Sequence, residues 1–261
     1  MQSMVQSVYH SQQTVGKHAH FHDCHQIILV AKGEVEFCVN DRRFFAKGGD
    51  VAIFSRYENH SVKVFSDCYE RYVLHIDPEI INRQSHVYSL LTDRPLGFCN
   101  VIDVRADFCE ITDIFKRILK EHGSTVQFSD EMEQIAIKQL LITINRCMPT
   151  GLDQTYDSVV TDIKRKFENE YYKRYTLGEL AKEYSISVSS LSHRFCEVTG
   201  VPVMSYLQLC RIAQAKQMLV STKYSIGQIV EYCGFSDGSN FSRTFRDIVG
   251  MSPSSFRKKY I

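Results

Sequence analysis

The last hundred residues of the chain carry one pattern twice, about fifty residues apart. The first copy begins Thr176-Leu-Gly-Glu-Leu-Ala-Lys-Glu-Tyr-Ser-Ile-Ser and continues through Leu191-Ser-His-Arg-Phe195 to Gly200. The second begins Ser225-Ile-Gly-Gln-Ile-Val-Glu-Tyr-Cys-Gly-Phe-Ser and continues through Phe241-Ser-Arg-Thr-Phe245 to Gly250. Each copy reads as a short helix, a tight turn and a second helix with an exposed polar face, the layout of a helix-turn-helix reader of DNA. Two such units in one chain point to contacts in two adjacent turns of a major groove.

The residue types fit that reading position by position. Thr176 with Glu179, and Ser225 with Gln228, form two capping boxes that open the first helices. Leu177, Leu180, Ala181 and Tyr184 supply the buried face of one, and Ile226, Ile229, Val230 and Cys233 that of the other. Ser185 and Gly234 begin the turns, Ile186 and Phe235 plug the core, and Ser187 and Ser236 are placed to cap the second helices. Along those helices Leu191, Phe195 and Val198, or Phe241, Phe245 and Val249, point inward. Ser189, Ser190, Ser192 and His193 are left outside in the first copy, and Gly238, Ser239, Ser242 and Arg243 in the second. Small residues let a helix sink into the groove, and Arg243 can donate two hydrogen bonds to a guanine edge. Backbone amides at each helix N-terminus can hold phosphates. Between the copies Met204, Leu207, Ile212, Ala215 and Leu219 form a helical stripe, so one long helix is expected to set the spacing of the two readers.

A chain of 261 residues suits two domains. Residues 151–261 carry 15 Lys and Arg against 11 Asp and Glu, whereas residues 1–150 carry 16 against 19. A basic C-terminal half beside an acidic N-terminal half fits nucleic-acid contact by one end only. The nine cysteines are odd in number and include no Cys-x-x-Cys pair, which argues for reduced thiols rather than a disulfide framework or a zinc ribbon. The start, Met-Gln-Ser-Met-Val-Gln-Ser, has no basic n-region or apolar h-region. No apolar run approaches the roughly 20 residues that span a bilayer. A soluble, cytoplasmic protein with no membrane contact is expected.

The N-terminal half has a different texture. Gln26–Val30 is a continuous apolar run, and Val35, Phe37 and Val39 alternate with Glu34, Glu36 and Cys38. Asn40-Asp41 and Lys47-Gly-Gly-Asp50 supply turns before Arg42–Phe45 and Val51–Phe54. Val62, Val64 and Tyr72–Ile76 add further strands, giving an antiparallel barrel or sandwich. After residue 105 the period changes. Ile111, Ile114, Phe115, Ile118 and Leu119 mark an amphipathic helix closed by Gly123. Asp130 with Glu133 suggests a capping box for a second helix through Ile135, Leu140, Leu141 and Ile144.

Taken together, Arg211-x3-Ala215-Lys-x2-Leu219, Ile226-x2-Ile229, Cys233-Gly-Phe-Ser-Asp-x-Ser239-x-Phe241-Ser-Arg-x-Phe245-Arg and Gly250-Met-Ser-Pro-Ser-x-Phe-Arg257 resemble the AraC/XylS family of bacterial transcription regulators. The likeness covers about residues 159–258. It implies promoter DNA as partner, RNA polymerase as downstream target, and base contacts at Ser189, Ser192, His193, Ser239, Ser242 and Arg243. The first recognition helix departs from the family by offering serines and a histidine where longer polar or aromatic side chains are common. Base discrimination is therefore expected to fall mainly on the second motif.

His20-x-His22-x3-Gln26-x6-Gly33, followed by Gly49-Asp50 and His60, resembles the motif pair of the cupins. In metal-binding cupins two histidines, a glutamate and a distant histidine converge inside a small barrel. Here Gln26 takes the glutamate position, a poorer ligand for a divalent cation, and Ser55-Arg56 stand where a proline is usual. Three readings of His20, His22, Gln26 and His60 remain open: hydrogen-bonded structural residues, the lining of a pocket for a small effector, or a metal site. His18 and His25 read as flanking surface residues.

The expected layout is a cupin-like sensing domain at 1–105, a helical candidate dimerisation region at 106–148, a linker at 149–157 and an all-α double helix-turn-helix domain at 158–261. The expected function is a homodimeric DNA-binding transcription regulator under control of an unknown small-molecule effector. It is not expected to be an enzyme or to need a cofactor. A constitutive regulator whose barrel only dimerises, and a metal-dependent cupin enzyme, are the alternatives.

Overall fold

Ile27–Val30 is apolar at every position because strand β3 (His25–Lys32) is covered on both faces. Ile27 and Leu29 join one hydrophobic core and Ile28 and Val30 another. The computed structural model describes residues 4–13, 17–20, 22–39, 42–77, 86–92, 98–148 and 157–260. The chain divides into two units, residues 1–156 and 157–261. The Asn40-Asp41 turn and, apart from Asp157, the expected linker lie outside the described residues.

In the first unit β3 is joined by β1 (Val5–Ser11), β2 (Lys17–His20), β4 (Glu34–Val39), β5 (Arg42–Lys47), β6 (Asp50–Phe54), β7 (His60–Val64), β8 (Glu70–Ile76) and β9 (Val101–Asp103). They form a five-stranded sheet in the order β1-β8-β3-β6-β9 and a four-stranded sheet in the order β2-β7-β4-β5. Every described pairing is antiparallel. The alternating Val35, Phe37 and Val39 of β4 meet Ile28, Val30 and Phe54 of the larger sheet in the core between the sheets. Gly33 turns β3 into β4 at φ +99°, where a side chain would run into the Cys68 carbonyl oxygen, so only glycine fits without strain.

The outer face of the five-stranded sheet is covered by helices. A short helix α1 (Ser89–Thr92) precedes α2 (Phe108–Glu121) and α3 (Ser129–Cys147). Ile111, Ile114, Phe115 and Ile118 of α2, with Ile137, Leu140, Leu141 and Ile144 of α3, share the core of Ile27, Leu29, Val51 and Leu74. The apolar stripes read from the sequence are thus buried against the sheet, with Ile135 the exception at 57% exposure. The expected Asp130–Glu133 capping box does not form. Phe128 enters α3 at φ +66° with no side-chain cap, and Glu133, 1% exposed, instead pairs with Nδ1 of His122 at 2.9 Å. A buried carboxylate needs such a partner more than a helix end needs a cap.

The second unit is entirely helical among its described residues: α4 (Ser158–Asn169), α5 (Leu177–Glu183), α6 (Val188–Thr199), α7 (Val203–Ser221), α8 (Ile226–Tyr232), α9 (Gly238–Val249) and α10 (Pro253–Tyr260). α5 and α8 are each 7 residues long, and α6 and α9 each 12. Both capping boxes form, Thr176 with Glu179 and Ser225 with Gln228. The turns also match. Ser185 and Gly234 both take left-handed backbone, at φ 56° and 73°, and Ile186 and Phe235 return an N–H to the carbonyls of Ala181 and Val230. The second turn holds one residue more, so its cap is Asp237 and not Ser236; the carboxylate accepts the Asn240 N–H at 2.7 Å. In the first copy Ser187 caps α6 through the Ser190 N–H.

Asp157 and Arg194 tie the start of this unit to α6. Asp157 caps α4 through the Val160 N–H at 3.1 Å and accepts both Nε and Nη2 of Arg194, at 2.6 and 2.7 Å. Burial pushes the Asp157 carboxyl up, but the Arg194 and Val160 hydrogen bonds outweigh it and hold the group below the usual carboxylate range. A depressed folded-state pKa stabilises the fold above the unfolded value and loses that contribution as pH falls through the folded one. Asp157→Ala removes a cap and one partner of a bidentate pair, so it should destabilise the unit by roughly 1–3 kcal/mol. Urea unfolding checks this. The gap from wild type should be constant at neutral pH and narrow below about pH 4; an unchanged gap at low pH would contradict the assignment.

Candidate DNA-reading surface and histidine cluster

The outer faces of α6 and α9 form two candidate reading surfaces. Phe195 and Phe241 are wholly buried and fix which side of each helix faces out. On α6, Ser189 and His193 are exposed and Ser190 and Ser192 half-buried. On α9, Gly238, Ser239 and Arg243 are exposed and Ser242 half-buried. Both sets therefore lie on the solvent side of their helices.

The two surfaces differ in charge. The only arginine of the α6 motif, Arg194, is held by Asp157 at its half-buried position. Its counterpart in α9 is Thr244, which is buried. The outward position is His193 in the first copy, 3.9 Å from the exposed Glu197. It is Arg243 in the second, whose Nη2 donates to Oδ1 of Asn240 at 3.3 Å. A carboxylate beside His193 opposes phosphate, whereas the Asn240 amide holds an arginine that keeps further donors for a base edge. Asn240 was not singled out in the sequence; its spacing of three residues from Arg243 on one helical face was the available signal.

α7 spans 19 residues, about 28 Å at 1.5 Å per residue, and packs against α4, α6, α8, α9 and α10. Its Ile212, Ala215 and Leu219 share a core with Ile229, Phe235, Phe241, Phe245 and Phe256. Arg211 of α7 donates Nε to the Tyr171 carbonyl and Nη2 to that of Lys173, both at 2.8 Å. The two helix-turn-helix units are thus mounted on one rigid element.

The second site lies between the sheets of the first unit. His20 of β2 and His60 of β7 are opposite each other in the ladder, with ring centroids 4.5 Å apart. The ring of His22 is 4.9 Å from that of His20 and 5.4 Å from that of His60. A ligand nitrogen from each of the three lies within 4.8 Å of the others. His60, 2% exposed, stacks on Phe54 at 4.1 Å and carries its Nδ1 3.0 Å from the Glu58 carbonyl oxygen. The Tyr57 N–H to His22 carbonyl bond, at 2.8 Å, joins the loop before His60 to the loop after His20.

Gln26, 3% exposed, faces this cluster from the larger sheet. Its Nε2 lies 2.8 Å from Nε2 of His75, whose Nδ1 is 2.7 Å from Oγ of Ser7. Its Oε1 is buried without a hydrogen-bond partner among the described residues. His20, Gln26 and His60 line a cavity of about 20 Å³ together with Tyr9, Tyr69 and Arg71. The Tyr69 hydroxyl is likewise buried and has no hydrogen-bond partner among the described residues, and burial pushes its pKa up to about 12. A cavity of that size holds about one water molecule and is far smaller than the roughly 300–1,000 Å³ of an organic-ligand pocket. The structure thus brings all four sequence-derived residues to one place. His75, Tyr69 and Arg71 were missed. His25 is corrected: it is 4% exposed, and its Nδ1 accepts the Arg56 N–H. The side chain of His18 lies outside the described residues.

A two-sheet antiparallel unit with a polar cluster between its sheets, followed by two matched helix-turn-helix units on one helix, defines an effector-domain transcription regulator. The family profile for the AraC-like ligand binding domain matches residues 4–141, and that for a helix-turn-helix domain matches residues 180–259. The chain belongs to the AraC family of transcription regulators. It is 25% identical over 258 residues to the HTH-type transcriptional activator RhaR of Shigella dysenteriae serotype 1, covering 91% of this chain and 86% of that one. RhaR of Escherichia coli O139:H28 is similar to the same extent. Among solved structures, an apo form of ToxT from Vibrio cholerae superposes with a TM-score of 0.56 at 15% identity, over 98% of this chain and 97% of that one. A fatty-acid-bound ToxT gives 0.52 at 17%, over 96% and 93%. These two share the fold. No helix among the described residues is long and apolar enough to cross a membrane.

Proposed function

We propose that this protein is a cytoplasmic, homodimeric activator that reads promoter DNA through α6 and α9 and presents itself to RNA polymerase under control of a small effector. It performs no catalysis of its own. The observation that carries the reading is the pair of helix-turn-helix units with matching caps, turns and aromatic plugs, held on α7. Activation is favoured by the likeness to the RhaR activators. Effector control is favoured by the match to an AraC-like ligand binding domain and by the polar cluster of His20, His22, Gln26 and His60 between the sheets, in which Gln26 Oε1 is buried with no hydrogen-bond partner among the described residues. An effector that binds one presentation of the DNA-binding unit better than another shifts the population toward it.

Base contact is assigned to Ser189, Ser190, Ser192, His193, Gly238, Ser239, Ser242 and Arg243, with the second motif dominant. Arg243→Ala is expected to lower discrimination between specific and random DNA by about 1–3 kcal/mol, the worth of one good bidentate contact. His193→Ala should cost less. Gel-shift titration against operator and scrambled DNA measures both, and equal losses would remove the assigned asymmetry.

Dimerisation is assigned to a stripe on α3 that the intramolecular core does not use. Met132, Ile135 and Ile142 of α3 are exposed at 47, 57 and 39% and follow helical spacing on one face, with Phe128, 62% exposed, just before the helix. A row of large apolar residues on a surface helix marks an interaction site. Ile135→Asp should convert the dimer to monomer in sedimentation velocity while circular dichroism stays native. A wild-type protein that sediments as a monomer at tens of micromolar would rule the interface out.

Effector gating is tested by footprinting the purified protein on its operator across a metabolite panel. At least one compound should change occupancy. An identical footprint throughout, together with unchanged regulation in Gln26→Ala, would favour a constitutive regulator whose sheets serve only for assembly.

A further inference from the structure

We infer that Arg246 grips a DNA phosphate and so sets how α9 lies in the major groove; this rests on the reading of α9 given above and adds the residue that positions it. α9 runs for 12 residues, Gly238–Val249. At 3.6 residues per turn Arg246 falls about 20° from Ser239, about 40° from Ser242 and about 60° from Arg243 around the helix axis. It therefore continues their outer stripe for one more turn, and it is exposed there. Its guanidinium has no hydrogen-bond, ion-pair or ring partner among the described residues. Asp247, the next residue, points about 100° further round the helix and lies off the stripe.

Position along the helix separates Arg246 from the base readers. A recognition helix meets base edges with its N-terminal residues. From Ser239 to Arg246 the axis advances about 10 Å, comparable with the roughly 12 Å width of the major groove. A helix whose first turn touches bases carries a side chain that far along to the rim of the groove, where the phosphate oxygens lie. Arginine suits that place, because its guanidinium meets phosphate with two parallel N–H donors and keeps its charge. Backbone contacts of this kind fix register and orientation without reading sequence.

The first motif has no equivalent. Its residue at the matching position, Cys196, is an exposed thiol, and Arg194 is committed to Asp157. The outer stripe of α9 thus carries two arginines one turn apart and that of α6 carries none. The salt-dependent grip on the backbone is accordingly placed on the same motif as base discrimination. A cation in the last turn of a helix also complements the helix dipole. A role confined to that would alter folding stability and leave the salt dependence of DNA binding where it was.

The test compares full-length wild type with Arg246→Ala, Arg246→Lys and Arg243→Ala, after circular dichroism has confirmed that each is folded. Two labelled duplexes serve as probes, one enriched from a random library by the wild type and one a scramble of it, titrated from about 50 to about 200 mM KCl. Arg246→Ala should weaken binding to both duplexes by the same factor and leave their affinity ratio at the wild-type value. The slope of log affinity against log salt should flatten by about 0.9, the share of one phosphate, which is roughly a 3.5-fold smaller loss over that salt range. Arg246→Lys keeps the charge and should hold the wild-type slope, while Arg243→Ala should lower the ratio. An unchanged slope in Arg246→Ala, or a fall in its ratio equal to that of Arg243→Ala, overturns the phosphate contact and leaves the reading surface standing. A wild type that enriches no sequence removes the reading surface and the inference with it.

Discussion

The burial of α7 is the constraint on which the DNA-binding unit depends. Val203, Tyr206, Leu207, Cys210, Ile212, Ala215 and Leu219 are all buried, on more than one side of the helix. A helix apolar around most of its circumference must be enclosed, and the two helix-turn-helix units enclose it. Each short helix pair has too little apolar surface to stand alone, so its recognition helix acquires a fixed orientation only by docking on α7. Arg211 adds to this by holding the Tyr171 and Lys173 carbonyls from the same helix. The separation of the two readers is therefore a property of one helix length and not of a flexible connection.

The first unit solves a different problem. Its two sheets meet in an apolar core around Ile28, Val30, Phe37 and Phe54, yet Gln26, His60, His20 and His75 share one end of the same interior. Polar groups in such a place cost free energy unless paired. Most are paired, through Ser7, Glu58 and one another, but among the described residues Gln26 Oε1 and the Tyr69 hydroxyl are not. A fold selected for stability alone would fill this end with apolar side chains. The polar cluster with the unpartnered Gln26 Oε1 is the observation on which the proposed effector site rests.

Much of this was legible in the residues because local rules and tertiary demands agreed. The two capping boxes, the left-handed Ser185 and Gly234, and the alternation of Val35, Phe37 and Val39 each follow from chemistry within a few residues. Failures arose where a distant partner won. Glu133 is claimed by His122 rather than by a helix end. His25 is buried because Arg56, thirty-one positions away, donates to it. His75 was invisible because Tyr72–Ile76 is covered on both faces, which erases the period-two signal that would have set its side chain apart. The stripe of Phe128, Met132, Ile135 and Ile142 was masked for the same reason, since α3 carries a second apolar face that the core uses first.

The difference between the outer faces of α6 and α9 has a traceable origin. One additional residue in the second turn moves the cap from a serine to Asp237 and sets α9 one position further on. In α6 the arginine falls at the half-buried position and is spent on Asp157 at the start of the unit. In α9 the corresponding position is a buried threonine, and Arg243 falls on the outer face beside Asn240. The guanidinium that secures the first motif to its own domain is thus committed to Asp157, while the second motif, packed by Phe235, Phe241, Phe245 and Phe256, keeps Arg243 exposed, where the proposed base contact would use it. In the proposed reading, structural anchoring and base readout compete for the same residue type, and the duplication allows each copy to settle that competition differently.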